Sequence, residues 1–160
     1  MSDDLRVGLG YDVHPFTDGR PLMLGGVQLD HPRGLAGHSD ADVLLHAIAD
    51  ALLGAAALGD IGQHFPPSDS QYAGIASLRL LEHVAALLKT NGWEVINVDS
   101  TVIAERPRIG PAAPAMCASI AQALGISPDR ISVKATTNEQ LGFVGREEGI
   151  AAMAVALLRR

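Results

Sequence analysis

A two-layer α+β sandwich, a four-stranded mixed sheet with its helices on one face, is the fold this sequence predicts. Three observations predict it. Strand and helix periodicities follow one another as strand, helix, helix, strand, helix, strand and an Ala-rich tail. The 160 residues are enough for one real core and short for two, so 1–160 reads as a single domain. Hydrophobic residues make up 48% and charged residues only 19%, a compact globule with some of its surface buried against other subunits.

In "RVGLGYDVHPF" the alternation of Val7, Leu9, Tyr11 and Val13 is the period-2 pattern of a strand, and it puts Asp12 and His14 together on the opposite face. Pro15 lacks an N–H and holds His14 out of the helical region, so the ladder is expected to stop there. "GRPLMLGGVQLD" reads as a small hairpin turning at Gly25-Gly26. Residues 40–54 read as a helix, and 74–90 as another with Leu78, Leu81, Val84 and Leu88 at helical spacing. "EVINVDSTVIAE" is a strand by β-branching and alternation. Residues 111–124 form a helix opening at Pro111 and stopping at Gly125. "RISVKAT" is a strand with Ile131, Val133 and Ala135 on one face. The tail "GIAAMAVALLRR" stays open: Ala favours a helix, while its shortness and Gly149 allow a closing strand.

A net charge of −6 argues against nucleic acid as a partner, and cations for an anionic substrate must come from elsewhere. The N-terminus "MSDDLR" is acidic without an apolar run and does not read as a secretory signal. Cys117 stands alone and fits a reducing compartment; a cytoplasmic protein is expected. No apolar stretch approaches the roughly 20 residues of a membrane helix, so no membrane partner is expected; "LLHAIADALLGAAALG" is broken by His46 and Asp50. "GLGYDV" imitates a dinucleotide fingerprint, but Val13 takes the third glycine's place. "GHSDA" resembles a nucleophile elbow with alanine at its last glycine.

Asp12 and His14 at a strand exit are as readily a solvated strand end as a ligand pair, because a lone D-x-H is common. A second ligand source lies in "GHSDADVLLHAIADALLG". Ser39 is placed to cap the helix with Asp42 at capping-box spacing, which leaves His46 unexplained. Asp42, His46 and Asp50 lie four apart along one stripe, with Leu44, Ile48 and Leu52 roughly opposite. The stripe reads as a solvated face, as a histidine bonded to Asp42 or Asp50, or as a ligand source; Leu53 beside it argues against a simply wet surface. Asp12, His14 and His46 together offer two imidazole nitrogens and one carboxylate oxygen, the set of an open tetrahedral zinc site. Asp50, one turn from His46, is placed to hold the second ring nitrogen.

Four separated motifs, "DVHPF", "GHSDADVLLHAIADALLGAAALGDIGQHFPPSD", "AERPRI" and "TTNEQLGFVGREEGI", resemble in order and spacing the 2-C-methyl-D-erythritol 2,4-cyclodiphosphate synthase family, from about Arg6 to the C-terminus. The resemblance implies a homotrimeric lyase of the non-mevalonate route to isoprenoid precursors. That enzyme cyclises 4-diphosphocytidyl-2-C-methyl-D-erythritol 2-phosphate with release of CMP, and its tail is a strand. Zinc falls on Asp12, His14 and His46, the substrate loop on His38 and Ser39, and the erythritol contacts on Asp60, Ile61 and Gly62. The nucleotide pocket, supplied by the neighbouring subunit, falls on Ala104, Pro107, Arg108, Ile109, Thr136 and Thr137. Glu139 matches the ligand of a second divalent cation, magnesium or manganese; with Thr137 it joins Asp12, His14, His38, Ser39 and His46 as the implied catalytic set. Arg108 stands where lysine is usual, and its planar fork reaches differently from an ammonium. Glu147 stands where glycine is frequent, and Phe143 and Arg146 would line a cavity on the trimer axis.

In such a reaction the substrate's own 2-phosphate is the nucleophile, so no Ser, Cys or general base is required. The protein supplies alignment, the metals cancel phosphate charge, and the helix around Ser39 is expected to offer N–H donors to oxyanions. Two other functions fit the same residues: hydrolysis of a phosphoester or diphosphate by zinc-bound water, and a trimeric nucleotide-binding module without catalysis.

Overall fold

Residues 4–160 are described in the computed structural model; Met1–Asp3, where the acidic N-terminus begins, lie outside the described residues. The main sheet is mixed, in the order β4-β1-β7-β5-β6. Its strands are β1 (Leu5–Thr17), β4 (Gly34–Leu35), β5 (Glu94–Ile103), β6 (Ile131–Thr136) and β7 (Gly149–Arg159). Of its pairings only β5 with β6 is parallel. The expected hairpin is present as β2 (Leu22–Leu24) and β3 (Val27–Leu29), with Gly25 and Gly26 at φ +59° and +74° in the turn.

The count of four strands is corrected to five among the described residues. Phe16 and Thr17 run on past Pro15 and pair with Leu35 and Gly34, a two-residue strand too short to carry any periodicity. The stop at Pro15 is corrected with it: Pro15 faces Gly149 in β7, and its carbonyl accepts the N–H of Ala36 at 2.9 Å. Only an acceptor is needed there, and proline still has one.

The Ala-rich tail is β7, seated between β1 and β5. Ala152, Ala154 and Ala156 are buried beneath α1 (Val43–Ala55), which packs on β1 and β7. Small side chains let helix and sheet close up, and tertiary packing overrides the helical preference of alanine. Gly8 and Gly10 of β1 do the same opposite the α1 backbone: a Cβ on Gly10 would stand 1.8 Å from the carbonyl oxygen of Ala47. The helix is consequently buried on nearly every face, Gly54 being exposed and Asp50 half-buried.

α3 (Ser77–Thr90) lies against α1 and α4 (Ala113–Leu124), and α4 against β6. Leu80, Leu81, Val84 and Leu88 form the buried stripe of α3. α3 begins at Ser77 rather than 74 because the preceding residues bond elsewhere: the Gly74 N–H donates to the His38 carbonyl, and the Ile75 carbonyl accepts from Asp40 N–H. α4 follows a 3-10 turn at Gly110–Ala112 and ends on Gly125 in the left-handed region, φ +68°. The alternation of β1 leaves Val7 and Leu9 69% and 64% exposed on the face away from α1, beside exposed Tyr11, Met153 and Val155.

Candidate functional site

Because β1 turns Leu9 and Tyr11 outward, it turns Gly8, Gly10, Asp12 and His14 toward α1. His46, in the first turn of α1, reaches them from above the sheet. His14 Nε2 lies 2.9 Å from Asp12 Oδ2, and His46 Nδ1 lies 3.1 Å from the same oxygen. The two nitrogens are themselves 3.1 Å apart. Among the described residues this is the one group of three such ligand atoms close enough to share an ion, all within 4.8 Å of one another.

The ring of His14 is fixed from behind. Its Nδ1–H donates to the carbonyl of Ala36 at 2.8 Å, which leaves the Nε2 lone pair facing Asp12 and His46. Burial works against a charged Asp12, but when the facing nitrogens of His14 and His46 carry hydrogens rather than a shared cation, their bonds to it outweigh burial and hold the carboxyl well below the usual carboxylate range. Burial also works against a charged His14, and the bond and attraction to Asp12 outweigh it and raise its pKa. Two nitrogens and one carboxylate oxygen converging on one point are mutually compatible when a cation is shared among them. The donor set fits zinc with its fourth position open.

The cluster opens on a cavity of about 230 Å³ lined also by His38, Ser39, Ile61, Gly62, Phe65 and Tyr72. The loop carrying His38 is gripped on both sides. Arg20 Nη1 donates to the Gly37 carbonyl at 2.8 Å, and Nη2 donates to that of Ser39. Asp60 caps the short helix α2 (Ile61–His64) by accepting the Gln63 N–H at 3.0 Å, which presents Ile61 and Gly62 to the cavity.

Three expectations around α1 are corrected. The helix is capped by Asp42, whose side chain accepts the Leu45 N–H at 3.1 Å; Ser39 instead accepts the N–H of Ala41. Asp42 also takes the N–H groups of Gly25 and Gly26 at 2.9 and 2.8 Å, so a buried carboxylate already covers the helix terminus expected to meet oxyanions. Asp50 does not hold the His46 ring. It accepts the Ile61 N–H at 2.8 Å, while His46 Nε2 meets Ser77 Oγ at 2.8 Å.

The second group of residues lies apart from the first within the chain. Ala104, Pro107, Arg108, Ile109, Thr136 and Thr137 line a cavity of about 430 Å³ where β5 and β6 end. Beyond it, Glu105 Oε1 accepts the N–H groups of Asn138 and Gln140, each at 3.0 Å, and braces the exposed loop that carries Glu139. The Glu139 N–H donates to Thr137 Oγ1 at 3.1 Å. Phe143 is exposed in α5 (Gly142–Gly145), and Arg146 pairs with Glu148 at 3.1 Å. Glu147 has φ +57°, the conformation that favours glycine.

Sequence reasoning passed over Arg20, Asp40 and Ser77. Asp40 stands inside the histidine motif, but nothing local to "GIASLRLL" marks Ser77, which meets His46 only through the packing of α3 on α1.

The YgbB family model matches residues 5–159. The chain is similar to proteins named 2-C-methyl-D-erythritol 2,4-cyclodiphosphate synthase. One from Symbiobacterium thermophilum is 63% identical over 96% of this chain and 98% of that protein, and one from Syntrophomonas wolfei is 62% identical over 98% and 99%. Among solved structures it is similar to the bifunctional IspDF of Campylobacter jejuni, with TM-score 0.95, 44% identity, and 99% of this chain over 43% of that one. It is also similar to a CDP complex of Plasmodium falciparum IspF, with TM-score 0.84, 34% identity, and coverage of 96% and 95%.

Proposed function

The chain belongs to the YgbB family and is a synthase-type enzyme of isoprenoid precursor synthesis; from this, and from the convergence of Asp12, His14 and His46, we propose a metal-dependent intramolecular phosphoryl transfer. The substrate is 4-diphosphocytidyl-2-C-methyl-D-erythritol 2-phosphate. An oxygen of its 2-phosphate bonds to the β-phosphorus, the bond from that phosphorus to the bridging oxygen breaks, and CMP leaves. The products are 2-C-methyl-D-erythritol 2,4-cyclodiphosphate and CMP. The single observation that carries the reading is the three-donor cluster at the floor of the 230 Å³ cavity.

Zinc on Asp12, His14 and His46, with magnesium or manganese on Glu139, would supply when bound the positive charge that a chain of net charge −6 lacks. An exposed single carboxylate such as Glu139 suits a cation completed by substrate phosphates. His38 and Ser39, clamped through Arg20, hold the phosphate end over the cluster, and Asp60, Ile61 and Gly62 orient the erythritol. Ala104, Pro107, Arg108, Ile109, Thr136 and Thr137 receive the cytidine and its phosphates; the CDP bound to the Plasmodium falciparum relative supports a nucleotide there. Holding the 2-phosphate in line with the β-phosphorus replaces a bimolecular encounter, an effect worth about 7–11 kcal/mol when orientation is good.

The protein acts as a cytoplasmic homotrimer of single-domain chains, with each site shared between neighbours. Two observations support sharing: the apolar outer face of β1 and β7 asks for cover, and the two residue groups line separate cavities in one chain. In that assembly Phe143 and Arg146 line the axis. Among the described residues no helix is long and apolar enough to cross a membrane.

Incubation of the purified protein with the named substrate, zinc and magnesium is expected to yield cyclic diphosphate and CMP in equal amounts. A linear product would replace cyclisation by hydrolysis, and unchanged ligand would leave a binding module. Sharing is tested by coexpressing His46→Ala and Glu139→Ala chains with different tags. In a ring of head-to-tail interfaces every doubly tagged trimer has one junction where two intact halves meet, so about a third of wild-type CMP release is expected. Doubly tagged trimers no more active than either parent would confine the site to one chain.

A further inference from the structure

Behind His46 lies a polar chain of which the steps above use only Ser39. Ser77 is 1% exposed and Ser39 6% exposed. Ser77 Oγ donates to Asp40 Oδ1 and sits 2.8 Å from His46 Nε2 and 3.3 Å from Ser39 Oγ, which accepts the Ala41 N–H and lies at the longer distance of 3.2 Å from the same His46 nitrogen. A carboxylate can only accept, so the hydroxyl hydrogen of Ser77 is committed to Asp40 and its lone pairs face His46 and Ser39. Facing a lone pair, His46 Nε2 must carry its hydrogen. The other nitrogen, Nδ1, is then the lone pair aimed at Asp12 and His14.

We propose that Asp40 and Ser77 are positioning residues for His46, a relay in which the Asp40 carboxylate orients the Ser77 hydroxyl and thereby fixes the tautomer and tilt of the ring. The proposal rests on reading Asp12, His14 and His46 as zinc ligands, and it adds two residues outside that ligand set. His14 is set by the Ala36 carbonyl, so each ring has its own acceptor behind it. The relay also ties the His38–Ser39 loop to the start of α3, because the Asp40 N–H donates to the Ile75 carbonyl and Asp40 Oδ2 accepts the Ser77 N–H at 3.1 Å.

That last bond is a helix cap, and it supplies the competing explanation: Asp40 and Ser77 could serve α3 alone. Ser77→Ala separates the two, because it keeps the backbone N–H that makes the cap and removes the hydroxyl that makes the relay. The measurements are zinc affinity by chelator competition, the visible spectrum of the cobalt(II)-substituted protein, and the melting temperature of metal-free protein. Ser77→Ala is expected to weaken zinc roughly 10- to 100-fold, the usual effect of losing such a partner, and to alter the cobalt bands with little change in melting. Ser77→Thr, which keeps the hydroxyl, is expected to restore both. Asp40→Asn keeps an oxygen for the cap and attacks the relay from its far end, so weaker zinc binding is expected there too; it decides the matter if Ser77→Ala does not fold. Wild-type affinity and spectrum in the folded variants would overturn the relay and leave the zinc site standing. A wild-type protein that binds no zinc would overturn the ligand reading and the relay with it.

Discussion

Gly10→Ala is expected to lower the melting temperature by about 10 °C or to prevent folding altogether. The new Cβ would lie 1.8 Å from the carbonyl oxygen and 2.8 Å from the carbonyl carbon of Ala47, both of them backbone. A side chain could rotate away, but a buried helix cannot. Separating α1 from the sheet would open gaps along the contact with β1 and β7. Overpacking typically costs about 1–3 kcal/mol and more where nothing can yield, against a total stability of roughly 5–15 kcal/mol. At about 2–4 °C per kcal/mol for a chain of this size the loss is easily seen by circular dichroism. Gly54→Ala is the internal control: a Cβ there meets nothing within 4 Å, and alanine in place of glycine inside a helix favours it by up to about 1 kcal/mol. A Gly10→Ala protein melting with the wild type would disprove the close approach.

His46→Ala is expected to remain folded and to lose its zinc, because Asp12 and His14 alone leave two ligands where three are needed. Turnover should then fall by about three powers of ten or more, since Lewis-acid stabilisation of phosphate charge is worth several kcal/mol and each 1.36 kcal/mol is about tenfold. Elemental analysis, circular dichroism and CMP release give the answer together. A folded variant retaining a full equivalent of zinc would remove His46 from the ligand set.

Where the sequence could be read and where it could not have the same cause, the range over which a residue finds its partner. The helical stripe of α3 and the β-branching of β5 depend on neighbours a few positions away, and both elements form where the pattern puts them, although a bulge between Val95 and Asn97 interrupts the alternation of β5. The Gly25-Gly26 turn is legible for the same reason. β4 was invisible because two residues carry no period, and β7 because its alanines answer to a helix laid across them rather than to their own preference. In the site, Asp12 and His14 could be paired by strand parity and His46 picked out as the histidine that capping did not explain. The partner of His46 could not be found that way. Helical spacing nominated Asp50, four residues on, yet the ring nitrogen meets Ser77, 31 residues on, through the packing of two helices.

The near-total burial of α1 divides the chain by rate of opening as well as by place. Water reaches few of its residues, so its amides should exchange hydrogen only when the whole molecule opens, and His46 belongs to the last segment to let go. Glu139 stands in a run, 134–143, that is exposed throughout and should exchange through small local openings. The proposed shared site would therefore join an anvil to a spring: one half would keep its geometry through every fluctuation short of unfolding, and the other would give way to admit a nucleotide and release it.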